Sequence, residues 1–191
     1  MNNYHEALKA ITSATIEPRQ FLRHCFGIDK LPSEEALEEE TSFGYCSKSV
    51  RLLSKILGFQ RKTVREWGQN PNFEGMPQHA RITCNYALIA LSKQEINTII
   101  CSDSQAPTTT AKEFIEAIFL KDLSASDREK AVSSTQFRSQ CFALISKTLK
   151  VSKSTIYQWG SDVELSRMPK HYEHTLAYAL AAYRKQERIA A

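Results

Sequence analysis

The sequence predicts an all-α fold with two tandem helical domains. Apolar residues recur at helical spacing along the chain, and no alternating β-branched run with a hairpin turn is convincing. The second observation is an internal repeat. Ser54–Glu95 aligns without a gap on Ser146–Glu187, 92 residues further on, with 17 identities in 42 positions. Self-similarity over this length indicates a duplicated structural unit rather than chance.

The repeat sets the expected domain boundaries. Upstream of the gapless alignment, one residue of slip pairs three further apolar positions: Phe21 with Phe114, Leu22 with Ile115, and Phe26 with Phe119. We therefore expect each half to be a complete repeat domain, comprising residues 1–103 and residues 104–191. The boundary falls in the polar stretch 102–108, where Pro107 cannot continue a helix.

Length and composition exclude several classes of protein. A chain of 191 residues, 42% hydrophobic and 24% charged, has enough apolar material for one or two cores, unlike a disordered tail. The runs Ala87–Leu91 and Leu176–Ala182 fall far short of the roughly 20 residues that a membrane span requires, and Met1–Ala10 lacks a signal-peptide core. We therefore expect a cytoplasmic protein. The five cysteines include no CxxC pair, which argues against a disulfide framework or a zinc finger.

Helix boundaries are marked most clearly in the second half. Thr110-x-x-Glu113 and Ser126-x-x-Glu129 have capping-box spacing and predict helices over 111–120 and 127–132. A long terminal helix is predicted by one apolar stripe: Tyr172, Leu176, Ala179, Leu180 and Tyr183. The first half repeats that stripe as Ala80, Cys84, Ala87, Leu88 and Leu91.

A helix-turn-helix is predicted at the centre of each repeat, ahead of this amphipathic helix. Apolar residues occupy relative positions 4, 8, 10, 15 and 18 in both copies: Leu53, Leu57, Phe59, Val64 and Trp67, then Ile145, Leu149, Val151, Ile156 and Trp159. The last two positions face inward from the second helix, so both tryptophans are expected in the core. Ser54 and Ser146 are small enough to let the helices approach. Gly58 supplies the positive φ of the turn, whereas Lys150 would adopt that backbone at a cost of about 1 kcal/mol.

The stretch Leu149–Trp159, followed by Met168-Pro169 and a further amphipathic helix, resembles the lambda-repressor-like DNA-binding fold. Because it occurs in both copies, the resemblance covers about half of the chain. It implies that Ser152 caps the recognition helix, that the tryptophan closes a small core and that the proline starts the next helix. In such folds the second helix enters the major groove of DNA.

The predicted DNA-binding residues face outward on and beside this second helix. In the first copy they are Gln60, Arg61, Lys62, Thr63, Arg65, Glu66 and Gln69, and in the second Lys150, Ser152, Lys153, Ser154, Thr155, Tyr157, Gln158 and Ser161. Base contacts are assigned to Arg61 and Arg65 on guanine and to Gln158 on adenine. The lysines are expected to contact phosphates. Glu66 either accepts from a cytosine amino group or pairs with a neighbouring cation.

These features predict sequence-specific binding of double-stranded DNA by a transcriptional regulator. The inward scaffold is retained between the copies while the outward residues differ, as expected of readers of two half-sites, although a drifting solvated surface would look the same. One chain would then act as a covalent pseudo-dimer on sites one DNA turn, about 34 Å, apart. The alternative is a protein-interaction or assembly module that retains the fold, with at most one copy binding DNA. Further homodimerisation stays open.

Charge is unevenly distributed along the chain. Residues 1–43 carry a net charge of −4, whereas 44–103 and 104–191 carry +4 each. The acidic segment Glu34–Glu40 would repel phosphate and is expected to face away from DNA. It is interpreted as a protein-partner surface, as an intramolecular competitor for the basic helix, or as a solvated helix.

Neither an enzyme nor a metal or cofactor site is predicted. The sequence lacks a glycine-rich phosphate loop, a nucleophile elbow and an HExxH motif. His171-x-x-His174 with the distant Cys141 is the nearest approach to a metal site, and Ile82 stands in place of His174 in the first copy. RNA binding is less favoured, because aromatic platforms on a sheet are not expected here.

Overall fold

The computed structural model describes residues 15–102, 106–121 and 123–190, and every regular element in these ranges is helical. The predicted all-α class is therefore confirmed. The chain divides into two compact units between Ala106 and Pro107. This division lies inside the polar stretch 102–108 but beyond the boundary expected after residue 103, and the assignment of the units as repeat domains stays a prediction. No helix among the described residues is long and apolar enough to cross a membrane.

The first unit has six α-helices and a short 3₁₀ turn in its described residues. They are α1 (Pro18–Phe26), the 3₁₀ turn (Ile28–Lys30), α2 (Ser33–Thr41), α3 (Tyr45–Leu57), α4 (Arg61–Glu66), α5 (Gln78–Ala90) and α6 (Lys93–Cys101). Proline opens α1, since the first turn of a helix does not need its N–H. Gly27 ends the same helix in the left-handed conformation, with φ 76°.

The second unit has five α-helices in its described residues, and the first widens into a π-helical turn. They are α7 (Ala111–Ile115), the π turn (Glu116–Leu120), α8 (Ala125–Ser133), α9 (Thr135–Leu149), α10 (Lys153–Trp159) and α11 (His171–Ala190). The one-residue slip between the halves falls at Gly27, because Ile28 and Leu120 are again 92 residues apart and both buried. Where α1 stops at this glycine, the second unit stays helical through the π turn.

Each unit has its own apolar core. The largest fully buried side chains of the first unit are Phe21, Leu22, Leu52, Leu53, Ile56, Leu57, Phe73 and Tyr86, and those of the second are Phe114, Phe142 and Tyr178. Apart from Phe73, which lies in the loop before α5, these residues come from α1, α3 and α5 in one unit and from α7, α9 and α11 in the other. The helices thus turn their apolar stripes inward, as their spacing predicts.

An ion-pair network joins α1 to α2. Glu40 is buried, and its carboxylate accepts hydrogen bonds from Nε of Arg19 at 2.9 Å and from Nε of Arg23 at 2.7 Å. These two guanidinium groups lower the pKa of Glu40 to about 2. The interpretation of the acidic segment as a surface is therefore wrong for this residue, because its side chain faces α1. The other four carboxylates remain exposed: Glu34, Glu35, Glu38 and Glu39.

Of the two helix caps predicted in the second unit, one is confirmed and one is wrong. At α7 the capping box is complete: the Thr110 hydroxyl accepts from the Glu113 N–H at 3.2 Å, and the Glu113 carboxylate accepts from the Thr110 N–H at 2.9 Å. For α8 the predicted start at 127 is wrong. Its cap is Ser124, which accepts from the Asp127 N–H at 3.3 Å. Ser124-x-x-Asp127 offers the same spacing as the predicted box two residues earlier, so the helix begins there.

The long amphipathic helix is continuous only in the second unit. There α11 spans 20 residues, whereas the first unit breaks after α5, since Leu91 has extended dihedrals of φ −86° and ψ 145°. Ser92 then caps α6, accepting from the Glu95 N–H at 3.3 Å while the Glu95 carboxylate accepts from the Ser92 N–H at 2.7 Å. Arg184 occupies the equivalent position in α11 and favours continuation, because arginine is a good helix former. The prediction that Leu91 shares one helix with the rest of its stripe is therefore wrong.

Candidate nucleic-acid interface

The two units build the same tight turn before a short helix. Between α3 and α4, Gly58 takes the left-handed conformation with φ 70° and ψ 15°. Between α9 and α10, Lys150 takes it with φ 50° and ψ 43°. The predicted strained backbone at Lys150 is therefore confirmed, and a lysine pays the steric cost that glycine avoids.

A serine hydroxyl braces each turn. Ser54 Oγ donates to the carbonyl of Phe59 at 2.6 Å, and Ser146 Oγ donates to the carbonyl of Val151 at 2.7 Å. The sequence indicated these serines only as small residues at a close helix approach. Their second role is to satisfy the backbone oxygen that the turn leaves outside both helices. As a result, α4 and α10 are held at their N-terminal ends.

A second brace follows each short helix. The carbonyl of Trp67 accepts from the Gly75 N–H at 2.9 Å, and the carbonyl of Trp159 accepts from the Arg167 N–H at 3.0 Å. Inside each loop a buried apolar residue is left-handed, Phe73 with φ 42° and Leu165 with φ 46°. This loop was not predicted. Its only trace in the sequence is an apolar residue three positions before each Met-Pro pair.

The inward faces of the two short helices match the prediction at three of four positions, and Trp67 is the exception because it is not fully in the core. Val64 and Ile156 are fully buried. Trp159 is buried and lies 5.0 Å, centroid to centroid, from the ring of Tyr172, so its core position is confirmed. Trp67 is half-buried, with its ring centroid 5.3 Å from that of Phe59. The opposite face of each helix is therefore left to solvent.

On the first unit, the outward residues are mostly exposed, and their cations lack ion-pair partners in the part of the chain that the structure describes. Gln60, Arg61, Lys62, Arg65, Glu66 and Gln69 are exposed, and Thr63 is half-buried. Within the described ranges, none of the three cations on α4 forms an ion pair. Arg61 and Arg65, four positions apart, lie on one face of the helix. Two guanidinium groups are thus presented side by side to solvent.

Other cations of the same unit are committed to its structure. Lys55 Nζ donates to the carbonyls of Ile99, at 2.9 Å, and of Ser102, near the end of α6. Arg81 pairs with Glu17 at 2.7 Å. Their charges are therefore partly compensated, in contrast to those on α4.

On the second unit, the structure divides the predicted residues into two groups. Lys150, Ser152, Lys153, Ser154, Tyr157, Gln158 and Ser161 are exposed, and Thr155 is half-buried. Ser152 caps α10 as predicted, accepting from the Thr155 N–H at 3.1 Å, and its hydroxyl also bonds those of Ser154 and Thr155. These hydroxyls hold the helix end.

Three of the remaining outward groups are unengaged. The rings of Tyr157 and Phe142 pack in a T-shaped arrangement with centroids 5.0 Å apart, and Tyr157 remains 58% exposed. Lys150, Lys153 and Gln158 form no hydrogen bond or ion pair with side chains in the described part of the second unit. No carboxylate occurs in α10. α10 and the turn before it therefore present two lysines and no carboxylate.

The histidines considered as a metal site have other roles or positions. His174 Nδ1 lies 2.9 Å from the carbonyl oxygen of Pro107, within hydrogen-bonding distance, and Cys141 is fully buried. No group of three or more His, Cys, Asp or Glu side chains in the described ranges is placed to hold a metal ion.

Comparison with family models, with curated proteins and with solved structures finds no match to this chain.

Proposed function

We propose that the protein binds double-stranded DNA in a sequence-specific manner, with α4 and α10 as the recognition helices of two lambda-repressor-like helix-turn-helix motifs. One observation carries the proposal: each unit presents an exposed face of cations and amides, which form no ion pair with any described residue, on a short helix braced at both ends. Such a face can enter a groove without breaking contacts that hold the fold together, because none of its charged groups takes part in such a contact.

The side chains divide into base readers and phosphate binders. Arg61 and Arg65 present paired donors that suit the two acceptors of guanine, and Gln158 suits adenine. Lys62 on α4, and Lys150 and Lys153 beside and on α10, provide point charges for the backbone. Ser152 and Thr155 are positioning groups in this scheme, since their hydroxyls already hold the end of α10.

The tandem arrangement supports an asymmetric operator. The outward residues of the two units differ, so each would read its own half-site. A single chain then acts as a covalent pseudo-dimer on two half-sites spaced by about one DNA turn. A regulator of transcription is the function that this mode of binding supports best.

Selection from random duplex DNA tests the proposal. The wild type is compared with Arg61→Ala/Arg65→Ala and with Lys153→Ala/Gln158→Ala, while Lys93→Ala and Arg188→Ala remove exposed charges elsewhere on the two units. We expect two enriched half-sites, each lost with one double variant and kept by both controls. Each base contact removed should weaken binding by about 1–3 kcal/mol at its own position.

Salt dependence separates DNA binding from protein docking. Removal of Lys62 or Lys150 should lower the slope of log affinity against log salt by about one, because one phosphate contact is lost. If the wild type enriches no sequence and shows no salt-dependent binding, the DNA proposal fails.

One observation favours the alternative of an assembly module. Phe43 is wholly exposed between α2 and α3, and Leu37 on α2 is 52% exposed among the four exposed glutamates. Large apolar side chains in this setting are typical of protein contacts. Enrichment that responds to only one of the two double variants would support this function for the other unit.

A further inference from the structure

The second unit contains an open cavity of about 320 Å³. It lies among α7 with its π turn, α8, the start of α9 and the stretch after α10. Its walls are mainly apolar and include Ile115, Leu120, Val132 and Phe137. This volume falls within the range of small-molecule sites, of about 300–1,000 Å³.

The same positions are filled by charged groups in the first unit. The two arginines of the Glu40 network precede the slip at Gly27, where the halves are offset by 93 residues, so Arg19 corresponds to Lys112 and Arg23 to Glu116. Beyond Gly27 the offset is 92, so Glu40 corresponds to Val132 and Tyr45 to Phe137, and all four counterparts line the cavity. The buried ion pairs that close α1 against α2 therefore have no equivalent here. Apolar residues stand in place of the carboxylate and the phenol, and the space stays open.

Three features of the second unit accompany the open cavity. Lys112, at the position of Arg19, pairs instead with the exposed Glu164 at 3.0 Å. Val132 is 45% exposed, and α8 buries none of its residues, so this helix lies over the cavity without filling it. The π turn spans Glu116–Leu120 and contributes both of these residues to the lining. Such turns are frequent at functional sites, since they displace side chains from α-helical positions.

The charges at the rim select the ligand. Glu116, Asp162 and Glu164 face the cavity with Lys112, which already pairs with Glu164. Asp162 accepts the backbone N–H of Glu164 at 3.1 Å, whereas the Glu116 carboxylate has no ion-pair partner among the described residues. Because the three carboxylates outnumber the one lysine on the lining, an anion would be repelled from the cavity and a cation would be attracted to it.

We infer that this cavity binds a small molecule with an apolar body and one positive charge. The body contacts Ile115, Leu120, Val132 and Phe137, and the charge pairs with Glu116. The lining stretch 162–164 follows α10 directly, and any coupling to DNA binding rests on the proposed function. Ligand binding itself does not depend on that function.

Calorimetric titration of the full chain tests the inference without DNA. The probe is 4-phenylbutylamine, and 4-phenylbutyrate provides the same body and chain with a negative charge. We expect the amine to bind at least about fivefold more tightly than the butyrate, because a partly exposed charge contact changes affinity by about this factor. Equal affinities for the two probes, or no binding of either to the folded chain at millimolar concentration, would overturn the inference.

Two variants locate the binding. Val132→Phe fills the cavity from an exposed position and should weaken amine binding by about tenfold or more, whereas Leu37→Phe makes a matched change on α2 and should have no effect. Glu116→Gln should weaken the amine about threefold to fivefold and leave the butyrate unchanged or tighter, with Glu39→Gln as its control. Amine binding that survives Val132→Phe lies elsewhere and contradicts the inference. Enrichment of a DNA site in the absence of amine binding would leave the proposed function standing, and the reverse result would leave only the cavity.

Discussion

Removing the charge of Glu40 should destabilise the first unit far more than removing that of its neighbour Glu39. The Glu40 side chain is only 1% exposed and accepts hydrogen bonds from Arg19 and Arg23. Glu40→Gln keeps the volume of the side chain but leaves both guanidinium groups without their counter-charge. Glu39→Gln makes the same chemical change on the exposed face of α2.

The size of the effect follows from the pKa of Glu40. It lies at about 2 against an ordinary value of 4.5, which corresponds to about 3 kcal/mol of stabilisation of the folded carboxylate. The side chains of Arg19 and Arg23 are 38% and 30% exposed, so solvent screens part of this attraction. We therefore expect Glu40→Gln to lower the free energy of unfolding by about 2 kcal/mol at neutral pH, and Glu39→Gln by less than about 0.5 kcal/mol.

The pH dependence gives an independent check. Because the pKa of Glu40 is lower in the folded than in the unfolded chain, its contribution is present in full above about pH 5. The contribution is lost as the pH falls from there toward 2. The stability difference between wild type and Glu40→Gln should therefore shrink over this window, and the difference for Glu39→Gln should not.

Urea unfolding followed by circular dichroism, at neutral pH and at steps down to about pH 3, measures both quantities. At neutral pH the unfolding midpoint of Glu40→Gln should lie about 1 M urea below that of the wild type. Equal losses for the two variants would refute the assignment of Glu40 as a buried partner of the arginines. A wild-type advantage that stays constant on acidification would refute the electrostatic reasoning even if the losses differ.

Three further predictions concern local structure. Lys150→Gly relieves a left-handed lysine and should raise the free energy of unfolding by about 1 kcal/mol, whereas Gly58→Ala should lower it by about 1 kcal/mol, both measured by thermal denaturation. Ser124→Ala removes the cap of α8 and should cost about 1 kcal/mol, while Ser126→Ala, inside the same helix, should cost nothing; the opposite order would restore the predicted helix start at 127. Ser54→Ala and Ser146→Ala each remove a hydrogen bond across the turn and should each cost about 1 kcal/mol, with the exposed Ser47→Ala as a neutral control.

The parts of the fold that the sequence predicts are those set by neighbours within one or two helical turns. Thr110 and Glu113 form a capping box because their spacing alone allows it. The left-handed turn at Gly58 is likewise predicted by the residues around it. Lys150 lies 92 residues later at the equivalent position of the repeat and takes the same conformation. Local rules of this kind need no knowledge of tertiary contacts.

The missed features depend on residues that only the fold brings together. Nothing in the run of acids on α2 distinguishes Glu40 from Glu39, because the distinction comes from arginines 21 and 17 positions away on α1. The cavity of the second unit is hidden for the same reason, since it is defined by the absence of those partners. The break at Ser92 shows the converse case. Ser92-x-x-Glu95 has the spacing of a capping box, so the break has a local signal. However, Lys93-Gln94-Glu95 is identical to Lys185-Gln186-Glu187 inside α11, and this identity favours a continuous helix.

Comparison of the two turns gives a physical reason to connect strain with function. A glycine at position 150 would adopt the observed backbone at lower energy, as Gly58 does, yet this position holds an exposed lysine at the entrance to α10. Backbone strain is typical of binding sites when it is retained at a position where glycine would relieve it, as glycine does in the equivalent turn at Gly58. A phosphate contact from Lys150 would offset the cost, and Lys150→Gly should then gain stability while losing affinity for DNA. If the variant gains stability and binds DNA equally well, the strain has no role in the proposed binding, and the proposed phosphate contacts are reduced to those of Lys62 and Lys153.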